Sequence, residues 1–244
     1  MKIEIWSDFV CPFCYIGKRK LEQALDEIKG KDRIEIEFKS YQLDPDTPKY
    51  NGQDFYESMG AKFGGAGKAK QMMVSITDQA KEVGLEFNFD TMKPTNTFDA
   101  HRMTKFAKVH GKDAGLAEKL LYANFTQSKD VGNEEVLVEL AVEAGLPKEE
   151  ALAVASNPEA YADEVRADIE EAKQLGVTGV PFFVFNRKYA ISGAQPKEAF
   201  VQALEKVLEE EKPVSAFENL SPDNGTDATC ADDSCAVPSD KNAE

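Results

Sequence analysis

Two cysteines separated by two residues, Cys11-Pro12-Phe13-Cys14, stand where a strand pattern gives way to a helical one. Ile3-Glu4-Ile5-Trp6 leads in. Leu21, Ala24, Leu25 and Ile28 mark the apolar face of the helix that leads out, and Gly30 follows it as a stop. A helix N-terminus offers unpaired N–H groups and a partial positive charge. A thiol placed there is easier to ionise, and the thiolate is the attacking species. Cys11, just ahead of the first turn, is the expected nucleophile. Cys14, three positions on, is within reach to close the ring and resolve a mixed disulfide. Pro12 suits the first helical position, because its missing N–H is not needed there. The competing explanation is half of a zinc site, but zinc normally takes four ligands. The other cysteines, Cys230 and Cys235, lie in a stretch of different composition, and the two histidines are not spaced as ligands. No metal is expected.

The opening forty residues read strand, helix, strand. Ile34, Ile36 and Phe38 alternate with Glu35, Glu37 and Lys39, the period of a strand. A helical crossover between two strands implies that they run parallel. After a turn region rich in proline, apolar stripes of helical period fill more than a hundred residues. Their caps and stops include Gly64, Gly84, Asn96 or Thr97, Gly111, Asn133 and Gly145. Asn157-Pro158 is read as the start of one more helix, ending at Gly176. Phe182-Phe183-Val184-Phe185 and Tyr189-Ala190-Ile191 then form a short antiparallel pair, and a last helix begins at Pro196. Without the helical block a thioredoxin-type unit remains. The expected fold is therefore α/β and thioredoxin-like, with an inserted all-helical domain. Residues 1–51 and 173–212 would make the discontinuous thioredoxin-like domain, 52–172 the insertion, and 213–244 a flexible acidic tail. In thioredoxin-type folds the proline at the entrance of this inner strand is cis and faces the CxxC pair, so Pro181 is expected to be cis, against the alternative of an ordinary trans proline that opens a strand. The cis bond would bring the Val180 backbone beside the sulfurs, where an extended peptide could pair with it.

Cys11-Pro12-Phe13-Cys14-Tyr15-Ile16-Gly17-Lys18, together with Gly179-Val180-Pro181-Phe182-Phe183, resembles the DsbA-like oxidoreductases of the thioredoxin superfamily, and within them the FrnE-like branch. The resemblance covers about residues 1–212. It implies Cys11 as nucleophile, Cys14 as resolving thiol, Pro181 as the cis-proline and Val180 as a substrate contact, with Pro12 and Phe13 beside it. Relatives of this branch include glutathione-dependent isomerases and transferases, among them hydroxychromene-carboxylate isomerases. These carry serine where this chain has Cys11 and lack the second thiol. The departure favours a protein disulfide oxidase, isomerase or reductase. A redox-switched peptide-binding protein is the rival outside catalysis. No cofactor is required for dithiol exchange. Protein thiols are the expected partners, with glutathione or thioredoxin as candidate redox partners.

Asn96 to Arg102 also resembles a segment of the branch, and His101 in it is a candidate to face the thiols and favour thiolate. Glu4 is a candidate buried acid beneath the dithiol; Asp8 is equally near, with a turn cap as its plainer reading. Met59, Met72, Met73, Met92 and Met103 fall mostly in the helical block, and core packing is the first expectation for them. Gly64 to Lys68 lacks the spacing and the hydroxyl of a phosphate loop. A net charge of −15 argues against nucleic-acid and anionic-membrane surfaces. The N-terminus lacks a signal-peptide core, so a cytoplasmic location is expected, where a CxxC pair is catalytic rather than structural. Cys230 and Cys235 form a candidate auxiliary dithiol that exchanges with Cys11 and Cys14, the alternatives being an adventitious pair or a weak metal site with Asp232 and Asp233. They stand beyond a tether, Pro213 to Thr229, that would span about 20–25 Å.

Overall fold

The first strand, β1 (Lys2–Ser7), buries five of its six residues, so both of its faces are covered and it lies inside a sheet. It pairs with β2 (Glu35–Ser40) in parallel and with β3 (Phe182–Phe185) antiparallel. β4 (Tyr189–Ser192) completes the order β2-β1-β3-β4. The computed structural model of the chain describes residues 1–211; the expectations for Cys230, Cys235 and the tail fall outside them.

Alternation along β1 sorts the layers. Ile3 and Ile5 share a core with Leu21 and Ala24 of α1 (Pro12–Glu27) and Phe200 and Leu204 of α9 (Lys197–Glu210). Trp6 turns to the opposite face, where it packs with Val184, Val177 and Ala172. Its Nε1 donates to the Asp168 carbonyl at 3.0 Å, which fixes α8 (Ala162–Gln174) against the sheet. Between β2 and α8 run α2 (Phe55–Phe63), α3 (Ala66–Glu82), α4 (Phe98–Val109), α5 (Asp113–Phe125), α6 (Glu134–Glu143) and α7 (Lys148–Ser156). This is the thioredoxin-like fold with an inserted all-helical domain. Among the described residues no helix is long and apolar enough to cross a membrane.

Local chemistry sets most helix ends. Asp54 accepts from the Glu57 amide at 3.0 Å and caps α2, and Asn133 accepts from Glu135 and Val136 at the start of α6. One expectation fails. Asn157-Pro158 does not open a helix: Asn157 accepts from the Ala160 amide in a turn, Tyr161 takes φ 60°, and α8 begins only at Ala162. The helix overlooked before it is α7, whose alanine-rich run shows no clear apolar stripe.

An aromatic row joins the two parts. Tyr15 on α1 lies 6.0 Å from Phe87 between ring centroids, Phe87 lies 4.7 Å from Phe125, and Phe55 on α2 lies 5.5 Å from Phe89. A second joint is Gly17. A Cβ there would stand 3.1 Å from both Phe183 Cζ and Pro181 Cγ, and both of those residues are buried. Gly17→Ala is therefore expected to destabilise the fold by about 1–3 kcal/mol, read as a lowered midpoint in urea unfolding.

Buried charges at the β2 side are paired. Glu37 takes Lys2 at 2.6 Å, Lys39 at 3.5 Å and Lys108. Burial opposes its ionisation, but the hydrogen bonds from Lys108 and Lys2 prevail, and its pKa falls from the ordinary 4.5 to about 2. Because the folded-state value is the lower one, this stabilisation is complete above about pH 4.5 and is lost as pH falls toward 2. Glu37→Gln is expected to weaken the protein at pH 7 and to flatten the fall in stability between pH 4.5 and 2. Denaturant unfolding across that range measures both effects.

Candidate active site

Cys11 is the residue immediately before α1. It takes extended dihedrals, φ −90° and ψ 111°, and Pro12 follows at the first helical position. The turn is tied by backbone bonds from Cys11 N to Asp8 O at 3.2 Å and from Cys14 N to Cys11 O at 3.1 Å. Both cysteines are free thiols. The Val180–Pro181 bond is cis, and Cys11 Sγ donates to the Val180 carbonyl at 3.5 Å. The sequence thus anticipated this juxtaposition of CxxC and proline loop.

Whole-residue exposure does not separate the thiols. Cys11 is 4% exposed and Cys14 3%. What separates them is the space they face. Cys11 lines a cavity of about 480 Å³ together with Pro12, Phe13 and Val180, whereas Cys14 does not. Cys14 lies beneath the loop, where its sulfur accepts from the Asp8 amide at 3.5 Å. Burial pushes the Cys14 thiol well up, and the Cys11 side chain beside it adds to the rise. Ser7 and the Asp8 amide pull the other way without reversing it. Cys14 is therefore held as a neutral thiol at pH 7.

The helical insertion supplies the far wall of the cavity. Phe55, Met59 and Phe63 of α2 and Met72, Met73 and Ile76 of α3 line it together with Cys11, as does Met92. Four of the five methionines expected in the core thus line the cavity. Met103 alone of the five is a core residue away from it, at 1% exposure. The spacing of Met59, Met72 and Met73 fits a core face and a cavity wall equally well, so the sequence could not separate the two.

Glu4 does not take the place expected of it, and His101 meets Asp8 rather than the cavity. His101 does not line the cavity; it is buried under the loop, with its ring 4.7 Å from that of Phe9. Its Nε2 stands 3.4 Å from Asp8 Oδ1. Glu4 is committed elsewhere, to Arg187 and to Lys39 at 3.8 Å, and it sits three residues, about 10 Å, up the strand from Ser7. The buried acid next to the dithiol is Asp8, at 1% exposure. Its carbonyl holds Cys11, its amide meets Cys14, its Oδ2 accepts from Leu43 N at 2.8 Å, and its Oδ1 faces His101. Reading Asp8 as a turn cap captured the backbone part of this role and missed the rest. Among the described residues no group of three or more His, Cys, Asp or Glu is arranged to hold a metal ion.

Comparison with known proteins agrees with this geometry. The chain is 30% identical over 207 residues to the uncharacterized protein YwbO of Bacillus subtilis, covering 83% of this chain and 94% of that one. A probable DsbA oxidoreductase from Streptomyces coelicolor superposes with a TM-score of 0.82 at 42% identity, covering 98% of this chain and 100% of that one. The cytosolic disulfide reductase DsbM of Pseudomonas aeruginosa shares the fold at 17% identity, with a TM-score of 0.60 over 86% of this chain and 100% of that one. The family model for the DSBA-like thioredoxin domain matches residues 2–205, and with the CxxC turn and proline loop already meeting at the mouth of one cavity, the chain belongs to that family.

Proposed function

We propose that this protein is a thiol–disulfide oxidoreductase acting on protein thiols, with Cys11 as the exchanging sulfur and Cys14 as the resolving one. The observation that carries this reading is the asymmetry of the pair: Cys11 borders the cavity and meets the Val180 carbonyl, while Cys14 is buried beneath it as a neutral thiol. In the reducing direction, the Cys11 thiolate attacks one sulfur of a substrate disulfide. The Cys11–substrate bond forms, the substrate S–S bond breaks, and the departing thiolate takes a proton. Cys14 then loses its proton and attacks Cys11 Sγ. The Cys11–Cys14 disulfide closes, the second substrate thiol leaves, and two electrons have passed to the substrate. Oxidation is the same path reversed. The reading carries with it the FrnE-like branch and a cytoplasmic site of action, with a small thiol or a thioredoxin closing the cycle.

Turnover of a disulfide-bonded protein in a thiol buffer tests the proposal. The reduced protein should accelerate reduction of insulin by dithiothreitol, or regain of disulfides by reduced ribonuclease in a glutathione buffer. Absence of acceleration in both assays would overturn it. The glutathione-dependent isomerase reading has no observation of its own in its favour, because it leaves the buried second thiol unused.

A further inference from the structure

We infer that His101, supplied by the helical insertion, is a positioning residue for the exchange chemistry: it shares a proton with the buried Asp8 carboxylate, and that proton sets how readily the Cys11 sulfur ionises. This rests on the oxidoreductase reading above. Asp8 Oδ1 and His101 Nε2 are both buried, and neither has a hydrogen-bond partner among the described residues. They face each other at 3.4 Å. A carboxylate oxygen only accepts, so the ring nitrogen must carry the proton. Two buried polar atoms left unpaired would each cost free energy, and one proton between them removes both costs. The pair stands against the reacting sulfurs. The Asp8 amide meets Cys14 Sγ at 3.5 Å, and the Asp8 carbonyl holds the Cys11 amide at 3.2 Å. The next residue is held from the same insertion. The His101 ring lies 4.7 Å from that of Phe9, and Asn124 of α5 donates to the Phe9 carbonyl at 2.9 Å. Helices α4 and α5 thus fix Asp8 and Phe9, two of the residues that lead into Cys11.

Charge gives this contact a chemical consequence. An ionised Asp8, at 1% exposure, is a buried negative charge beside a sulfur that must itself become negative to attack. A proton on His101 cancels that charge. The cations on the surrounding elements are already matched. On α4, Arg102 is held by Asp99 and Lys105 by Asp168. Lys62 of α2 is held by Asp44, and Lys18 and Arg19 of α1 by Glu22 and Glu118. Among the described residues, His101 is the one group that forms an ion pair with Asp8.

The test uses the full-length protein, reduced, and follows alkylation of Cys11 by iodoacetamide as a function of pH. Asp8→Asn removes the buried charge, so the rate profile should move to lower pH, with a rate below its midpoint about tenfold higher than in the wild type. His101→Gln keeps a side-chain N–H for Asp8 but cannot hold the extra proton. Its profile should move to higher pH, with a rate about tenfold lower. In the double variant the effect of His101→Gln should vanish, since no Asp8 charge is left to offset. Equilibration with glutathione gives a second readout. A stabilised thiolate favours the reduced form, so Asp8→Asn should shift the Cys11–Cys14 pair toward dithiol and His101→Gln toward disulfide. A contact that merely holds the loop in place would move both single variants in the same direction. Shifts of the same sign, or a His101→Gln profile equal to that of the wild type, would overturn the inference while leaving the oxidoreductase proposal standing. Should one single variant not fold, the sign of the other decides alone. A wild-type pair that forms no disulfide with oxidised glutathione would overturn both.

Discussion

Replacing Cys14 with serine is expected to stop multiple turnover while leaving the first exchange intact. The resolving step needs a second sulfur, and a serine hydroxyl cannot attack the Cys11–substrate disulfide at neutral pH. Turnover should fall by about a thousandfold or more, the scale expected when a group that forms the covalent product is removed. The protein should instead accumulate as a one-to-one mixed disulfide with its substrate, visible as a mass increase that dithiothreitol removes. Cys11→Ser should lose both the turnover and the adduct. The prediction separates the enzyme classes the fold admits. A glutathione-dependent isomerase uses one reactive position, so its activity would survive Cys14→Ser. A redox-switched binding protein would hold peptide without turnover even in the wild-type chain. The structural ground for the expected outcome is the placement of Cys14 next to Cys11 but absent from the cavity wall.

Replacing Arg102 with methionine is expected to produce the largest loss of stability among single changes away from the thiols. Arg102 is 1% exposed. Its Nη1 donates to the carbonyls of Val154, Asn157 and Ala160 at 2.9, 2.8 and 3.0 Å. Its Nε and Nη2 hold Asp99 at 3.0 and 2.9 Å. One guanidinium thus closes the C-terminal end of α7, pins the turn into α8, and neutralises a carboxylate at the start of α4. Methionine fills similar space but leaves these acceptors without their donor, and among the described residues Asp99 keeps the Lys49 ammonium, at 2.8 Å. Removing one partner from a buried pair costs about 3–5 kcal/mol, which for a chain of this size lowers the thermal midpoint on the order of 10 °C. Arg102→Lys should recover only part of this, since an ammonium lacks the planar fork that reaches both sides. Thermal unfolding by circular dichroism measures both variants. The rate of the first exchange, taken below the midpoint, should be unchanged, because Arg102 does not line the cavity.

The sequence was most legible where one short-range rule decides the outcome. β1, α1 and β2 follow from a period-two run, an apolar helical stripe and a second period-two run, and the helical crossover forces the parallel pairing that is found. Phe182–Phe185 is a strand of the expected length. Cys11 and Pro181 were findable because cysteine spacing and a proline at a strand entrance are each unusual alone and informative together. The failures lie where two rules compete or where the cause is distant. Asn157-Pro158 satisfies the composition of a helix start, yet Arg102 draws the Asn157 and Ala160 carbonyls into a turn. Glu4 and Asp8 are both acids near the dithiol in sequence. Only the side-chain alternation of β1 and the position of Arg187 turn Glu4 away, and neither is visible locally. The cavity itself joins α2 and α3 to a cysteine more than forty residues earlier in the chain, a contact that only the folded chain creates.

The central claim, that Cys11 exchanges and Cys14 resolves, is tested most directly by competition for a limiting alkylating agent. The fully reduced chain is treated briefly with substoichiometric iodoacetamide at pH 7 and quenched in acid. The peptide holding both thiols is then sequenced by tandem mass spectrometry, which assigns the label to one position or the other. Cys11 should carry nearly all of the label on that peptide, because it borders the cavity while Cys14 does not and is held as a neutral thiol. Preferential labelling of Cys14 would contradict the account and reverse the two roles.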